Sequence, residues 1–175
     1  LSEAMLERCR NLNPGVILHR GDMRNIRLGK EFSAVLIHDA VNHLLTGEDL
    51  AATFQTVALH LQKNGIVILS PDWFTESFHA PIIENVTHSN ADMELTYFSY
   101  THDPNPNDTN VEEIIIYCIT ANGRLRIEHD RFILGLFPKS TWIRLLEKAG
   151  FSVEIRPINL KSMEKPHELL VGTLL

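Results

Sequence analysis

The sequence predicts an α/β fold in which a parallel sheet is interrupted by an inserted antiparallel β layer. Continuous apolar runs at Phe32–Ile37 and Ile66–Leu69 are typical of strands buried in parallel sheets. An amphipathic helical segment separates these two runs. Further on, Asn122-Gly123 lies between two long strand-like stretches and is the strongest short-range indication of an antiparallel hairpin.

The first part of the chain predicts alternating helices and strands. Ser2 predicts the cap of a helix that begins at Glu3, and Val16–Leu18 predicts a short strand buried on both faces. Thr46 and Asp49 resemble a capping box. The helix that follows has apolar residues at helical spacing, namely Leu50, Phe54, Val57, Ala58 and Leu61. Residues 32–70 therefore predict a strand–helix–strand unit with a right-handed crossover.

The remaining sequence predicts the antiparallel layer and then a return to helix and strand. Residues 93–101 and the hairpin at 111–134 form this layer, in a register that pairs Cys118 with Ile127 and Ile116 with His129. A helix capped by Ser140 follows and ends at Gly150. Residues 151–156 and 168–174 predict the last two strands, joined by the loop 157–167. We expect residues 1–78 and 135–175 to form the α/β core and residues 79–134 to form the insertion.

Composition narrows the classes of function. The 175 residues carry a formal charge of −6 and fit one domain. The absence of a Lys/Arg block argues against a dedicated nucleic-acid partner, and no apolar run approaches the roughly 18 residues of a membrane span. Two cysteines form neither a disulfide framework nor a zinc motif. They indicate a reducing, cytoplasmic location.

Polar residues follow three of the predicted strands. They are GDM at residues 21–23, HD at 38–39 with Asn42 and His43 close behind, and SPD at 70–72. Ligands of open α/β sheets bind beyond the carboxyl ends of parallel strands, so these segments are candidates for a binding site. Ordinary strand-to-loop transitions are also polar, and spacing alone leaves both interpretations open.

The order of several short motifs resembles that of a known family. SEAML opens the sequence, GDM and HDAVNHL follow predicted strands, LQKNG precedes another, and GLFPKSTWIRLLEKAGF lies near the end. Over residues 1–71 and 135–175 this arrangement resembles the class I S-adenosylmethionine-dependent methyltransferases. The insertion is similar to that of the small-molecule branch, such as the sugar N-methyltransferases. The resemblance implies a Rossmann-like sheet, S-adenosyl-L-methionine as cofactor and a small-molecule acceptor.

The resemblance also implies roles for individual residues. Asp22, next to Gly21, would contact the adenine amino group, and Met23 would pack on the adenine ring. His38 and Asp39 would lie beside the methionine part of the cofactor. The family's glycine-rich loop and the acidic residue that holds the ribose are absent from the sequence. We therefore expect an incomplete, N-terminally truncated sheet that binds the cofactor poorly by itself.

The implied chemistry is a direct displacement at the sulfonium methyl group, for which the protein aligns the reacting atoms and excludes water. A general base is needed only when the acceptor arrives protonated, and His43 and His129 are the candidates. We expect His129 and Arg131 to lie on the hairpin face that packs toward the core. There an anionic or hydroxyl-rich acceptor, or a protein carboxylate, would pair with Arg131.

Two other functions remain open from the sequence. One is a non-catalytic, methyltransferase-like module that forms a homodimer through its antiparallel layer; a homodimer is also compatible with the enzyme. The other is a metal-dependent hydrolase that uses His38, Asp39 and His43. The methyltransferase interpretation predicts no metal.

Overall fold

The structure is a computed structural model that describes residues 2–159 and 166–175. Its elements are α1 (Glu3–Leu12), β1 (Phe32–His38), a 3-10 turn (Ala40–His43), α2 (Gly47–Ala58), β2 (Leu61–Ser70), β3 (Ile82–Ser89), β4 (Met93–His102), β5 (Asn110–Ala121), β6 (Arg124–Gly135), α3 (Lys139–Lys148), β7 (Phe151–Ile158) and β8 (His167–Leu174). Within the described residues the strands form two four-stranded sheets, one ordered β1-β2-β8-β7 and one ordered β3-β4-β5-β6. Residues 160–165 of the predicted final loop lie outside the described residues.

The first sheet contains the predicted strand–helix–strand unit. β1 and β2 are parallel, so that His38 lies opposite Ser70 and both strands end at the same edge. The Thr46 hydroxyl accepts a hydrogen bond from the Asp49 N–H at 3.1 Å, which confirms the predicted cap of α2. β8 pairs antiparallel with β2, and β7 pairs antiparallel with β8. The start of β8 therefore reaches the edge where β1 and β2 end.

The core lies on the side of this sheet that α2 and α3 cover. Trp142 of α3 is fully buried and packs against three aromatic rings, those of Phe54, Phe74 and Phe137, with ring centroids 6.0 to 6.3 Å apart. Leu146 is also fully buried. Trp142 and Leu146 are one helical turn apart and therefore lie on the same face of α3.

The second sheet is the predicted antiparallel layer. The hairpin register agrees with the prediction, because Cys118 pairs with Ile127 and Ile116 pairs with His129. Strand β3 is not among the strands that the sequence predicts. Its residues, IIENVTHS, are mostly polar and exposed, so the apolar alternation that indicates a strand is weak.

Two apolar segments differ from the prediction. Val16–Leu18 is not a strand, because no described residue pairs with it, and Val16 and Ile17 are exposed. β1 is a strand, but it is not buried on both faces. It lies at the sheet edge, where Val35 and Ile37 pack against the core while Leu36 is 66% exposed.

The start of α3 also differs from the prediction. Ser140 is not its cap, since the helix begins one residue earlier, at Lys139. The N–H of Lys139 donates to both carboxylate oxygens of Glu76 at 3.1 Å. A residue 63 positions away therefore provides the capping acceptor, in place of the local Ser140 that the sequence predicts.

Candidate active site

A cavity of about 550 Å³ lies between the carboxyl ends of β1 and β2 and the inner face of the antiparallel layer. The parallel-strand ends contribute one wall and the long strands of the inserted layer contribute the other. The lining residues are Asp39, Asn42, His43, Asp72, Trp73, Glu84, Tyr97, Ser99, Glu113, Ile115, Tyr117, Phe132, Leu134 and His167. Carboxylates and aromatic rings dominate this list.

The 3-10 turn after β1 and the segment after β2 are joined by a pair of hydrogen bonds. Asn42, which is only 4% exposed, donates its side-chain amide to the Asp72 carboxylate. The backbone N–H of Asp72 donates in return to the Asn42 Oδ1 at 3.3 Å. This reciprocal contact fixes the Asp72 side chain at the cavity wall.

Two carboxylates of the cavity have raised pKa values. Burial, together with the negative charges of Asp39 and Glu113, raises the pKa of Asp72 from 3.8 to about 6. Burial is also the main cause that raises the pKa of Glu113, and the negative charge of Glu84 adds to it. Both effects disfavour the ionised form of a carboxyl group.

Histidines stand at two places on the cavity wall. The ring of His43 meets the edge of Phe132, with centroids 6.1 Å apart. His167, at the start of β8, places its Nε2 2.9 Å from the Ser70 hydroxyl. His167 is not among the site residues that the sequence predicts, because only the antiparallel pairing of β8 with β2 brings it to this edge.

The predicted adenine-contacting segment lies outside the cavity lining. The Asp22 carboxylate accepts hydrogen bonds from the Arg24 guanidinium, at 2.7 Å for Nη2 and Oδ2, and these bonds lower its pKa to about 2. Arg24 also bonds Asp49 at 2.7 Å. Gly21 allows the close approach of Ile26, whose side chain would overlap a Cβ at this position. Met23 packs against the core.

His38 and Asp39 form an exposed pair at the end of β1. The His38 Nδ1 lies 2.7 Å from the Asp39 Oδ1, and both side chains are more than 60% exposed. Asp39 has a φ of 30°, in the left-handed region that costs energy for a residue other than glycine. Among the described residues, no group of three His, Cys, Asp or Glu side chains is placed to hold a metal ion.

His129 and Arg131 lie on the opposite face of the layer from the cavity, and the expectation that this face packs toward the core is wrong. In the register of β5 and β6 they pair with Ile116 and Ile114, whereas the cavity is lined by the alternate residues of β5. Arg131 instead bonds the Glu112 carboxylate, with Nε and Oε1 2.6 Å apart, which is the protein partner considered above. Their contribution to catalysis stays a prediction.

In the described part of the chain, no helix is both long enough and apolar enough to cross a membrane. No protein-family model matches the sequence. The chain is 30% identical over 160 residues to the dTDP-3-amino-3,6-dideoxy-alpha-D-glucopyranose N,N-dimethyltransferase of Streptomyces fradiae, a match that covers 90% of the chain and 61% of that relative. The chain thus spans less than two thirds of the relative's length.

Two solved structures are similar to the fold. DesVI from Streptomyces venezuelae superimposes with a TM-score of 0.87 at 28% identity, over 100% of this chain and 72% of that one. SAM-bound CalS10, an amino pentose methyltransferase from Micromonospora echinaspora, superimposes with a TM-score of 0.82 at 25% identity, over 100% of this chain and 72% of that one. These similarities confirm the resemblance to class I S-adenosylmethionine-dependent methyltransferases and the Rossmann-like α/β fold. They support neither the hydrolase nor the non-catalytic alternative.

Proposed function

Because the chain has the fold and the sequence similarity of class I sugar methyltransferases, we propose that the protein transfers methyl groups from S-adenosyl-L-methionine to an amino group of a sugar. The observation that carries this proposal is the cavity at the ends of β1 and β2. It lies where ligands of α/β sheets bind. Its carboxylates suit an amine, and its aromatic side chains suit the apolar face of a sugar ring.

The bound cofactor would supply an electrophilic methyl group on a sulfonium sulfur, which needs no further activation. The exposed polar pair His38 and Asp39, at the end of β1, fits the amino-acid part of such a molecule. We propose Gly21, Asp22 and Met23 for the adenine side, as the resemblance implies. The Asp22 carboxylate already accepts four hydrogen bonds from Arg24, so an adenine contact requires that this pair rearrange.

The chain's own residues orient the acceptor. The nitrogen lone pair forms the new N–C bond while the C–S bond breaks, and the nitrogen then loses its extra proton. Walls from both sheets hold the acceptor in place and exclude water from this reaction. His43, on the turn after β1, is proposed to contact the acceptor from the side of the cofactor.

The test uses the complete reading frame that encodes this chain. The outer edge of β1 has no partner strand among the described residues, and Leu36 of this strand is exposed, so we propose that a further segment of the complete protein covers this edge. The purified protein is incubated with S-adenosyl-L-methionine and the amino sugar nucleotide that the Streptomyces fradiae relative is named for. Mass spectrometry should detect the addition of one and then two methyl groups. The matched control is the same nucleotide sugar with a hydroxyl in place of the amine.

If the complete protein binds the cofactor but methylates none of a panel of amino sugars, with or without the nucleotide, the proposed function is wrong. A hydroxyl sugar that is methylated as fast as its amine counterpart would contradict the proposed acceptor class.

We also propose that the protein is a homodimer, formed through the outer face of the antiparallel layer. This face exposes a set of large apolar side chains, namely Ile83, Phe98, Tyr100, Ile116, Ile127 and Ile133. Exposed apolar patches of this kind mark interaction surfaces. Sedimentation should give a dimer, Phe98→Glu should give a monomer, and Leu59→Glu, at an exposed position on the end of α2, should change nothing. A monomeric wild-type protein would overturn this proposal.

We further propose a cytoplasmic location, which the two free cysteines Cys9 and Cys118 support. The acidic composition supports the expectation of no nucleic-acid or membrane partner.

A further inference from the structure

Four carboxylates line the cavity, and they come from different parts of the fold. Asp39 and Asp72 follow β1 and β2, while Glu84 and Glu113 belong to β3 and β5 of the antiparallel layer. The charge of Glu113 raises the pKa of Asp72, so the two groups interact across the cavity. Such a partly desolvated set of like charges is unfavourable by itself and becomes favourable when a cation binds among them.

A buried serine also lines this cavity. Ser99, on the inner face of β4, is only 4% exposed and lines the cavity. A hydroxyl at this wall can donate a hydrogen bond to a polar molecule in the cavity or accept one from it.

The surroundings of the carboxylates fit an organic cation better than a metal ion. No metal-holding group of side chains is found among the described residues. The rings of Trp73, Tyr97, Tyr117 and Phe132 line the same cavity. Aromatic faces attract an ammonium group, and their area also contacts the carbon skeleton that carries it.

Resting on the function proposed above, we propose that Asp72 and Glu113 bind the protonated amino group of the acceptor and that the Asp72 carboxylate takes up its proton. An ammonium nitrogen has no lone pair and cannot attack. One N–H proton moves to an Asp72 oxygen, the free lone pair forms the N–C bond as the C–S bond breaks, and solvent later removes the proton from Asp72. Asn42 is a positioning residue, because its amide holds the carboxylate.

The position of Asp72 suits this role near neutral pH. A general base is most effective when its pKa lies near the working pH, and its cavity environment raises the pKa of Asp72 to about 6. The titratable groups around it come from several elements, and they are His38, Asp39, His43, Glu84, Tyr97, Glu113, Tyr117 and His167. Among these titratable groups, His38 lowers the pKa of Asp72.

The first test measures steady-state kinetics of the complete enzyme on its amine acceptor. Asp72→Asn keeps the shape of the side chain, and we expect it to lower kcat/KM roughly 100-fold and to remove the acid limb of the pH profile. Glu113→Gln is expected to raise KM more than it lowers kcat. Asp92→Asn, in the exposed turn between β3 and β4, is the matched control. An unchanged pH profile in Asp72→Asn would overturn the proposal.

The second test is a binding measurement that does not depend on turnover. Calorimetry compares the amino sugar with its hydroxyl analogue on wild-type enzyme, Asp72→Asn and Glu113→Gln. We expect the wild type to bind the amine at least about tenfold more tightly and both variants to lose this preference. A wild type that prefers the amine but transfers no methyl would contradict the proposed function and leave the ammonium site intact. A wild type without the preference would overturn the ammonium site.

Discussion

Replacing Asp72 by asparagine should stabilise the protein at high pH and leave its stability almost unchanged at low pH. The reason is the raised pKa. In the unfolded chain an aspartate titrates near 3.8, whereas in the fold burial and neighbouring charges move the pKa of Asp72 to about 6. The folded state therefore binds the proton more tightly, and stability falls as pH rises from the lower value through the higher one.

The size of the effect follows from the same two values. A tenfold difference in proton affinity corresponds to about 1.4 kcal/mol. Without screening by solvent, a pKa raised from 3.8 to about 6 would therefore lower the free energy of unfolding by about 3 kcal/mol once the pH is well above 6. The Asp72 side chain is also exposed to solvent, which screens its interactions, so we expect about 1–2 kcal/mol. Asparagine resembles the protonated carboxyl group and can still accept the hydrogen bond from Asn42, so the variant avoids this cost.

The assay is urea-induced unfolding of wild type and variant at about pH 4 and about pH 8. Asp72→Asn should be more stable by about 1–2 kcal/mol at the higher pH and by less than about 0.5 kcal/mol at the lower pH. Asp92→Asn should show no such difference. A variant that is destabilised at both pH values would refute the reasoning, because Asp72 would then stabilise the fold through its charge.

Three further predictions concern the core, the cap of α3 and the outer face. Leu146→Ala should lower the free energy of unfolding by about 2–5 kcal/mol, measured by chemical denaturation, because Leu146 is fully buried. A decrease no larger than that caused by Leu12→Ala, at an exposed position, would contradict the assigned core. Glu76→Ala should lower the free energy of unfolding by about 1 kcal/mol, because the first N–H of α3 loses its acceptor. An unchanged melting temperature would argue against this cap. Arg131→Ala should change kcat/KM less than about twofold, because the Arg131 guanidinium is exposed on the outer face of the antiparallel layer. A large loss in kcat/KM with normal cofactor affinity would instead support the contact with the acceptor that the sequence predicts for Arg131.

The local patterns of the sequence were sufficient for much of the fold. A strand–helix–strand unit follows from two continuous apolar runs, Phe32–Ile37 and Ile66–Leu69, and from the helical spacing of the apolar residues in α2 between them. Each of these patterns is typical of one kind of regular structure. The Asn122-Gly123 turn determines the hairpin register, since a two-residue turn leaves one way to pair the flanking strands. Polar residues at the ends of β1 and β2 indicated the right edge of the sheet.

Only the tertiary structure decided which face of the hairpin lines the cavity. Strand alternation separates Ile114 and Ile116 from Ile115 and Tyr117, but both sets are apolar, so the pattern does not show which set faces inward. The choice depends on how the layer packs over the parallel-strand ends. It places Glu113 in the cavity and Arg131 outside it.

The other decisive contacts join residues that are far apart in the sequence. Asn42 and Asp72 are 30 positions apart, and Ser70 and His167 are 97 apart. Local propensity carries no information about such pairs, because they form only when separate strands end at one edge of the sheet. The raised pKa of Asp72 has the same origin, since it depends on burial and on charges contributed by other elements. The sequence by itself therefore determined most of the elements and the edge of the sheet where the cavity lies, and the packing of the two sheets determined the chemistry of the cavity.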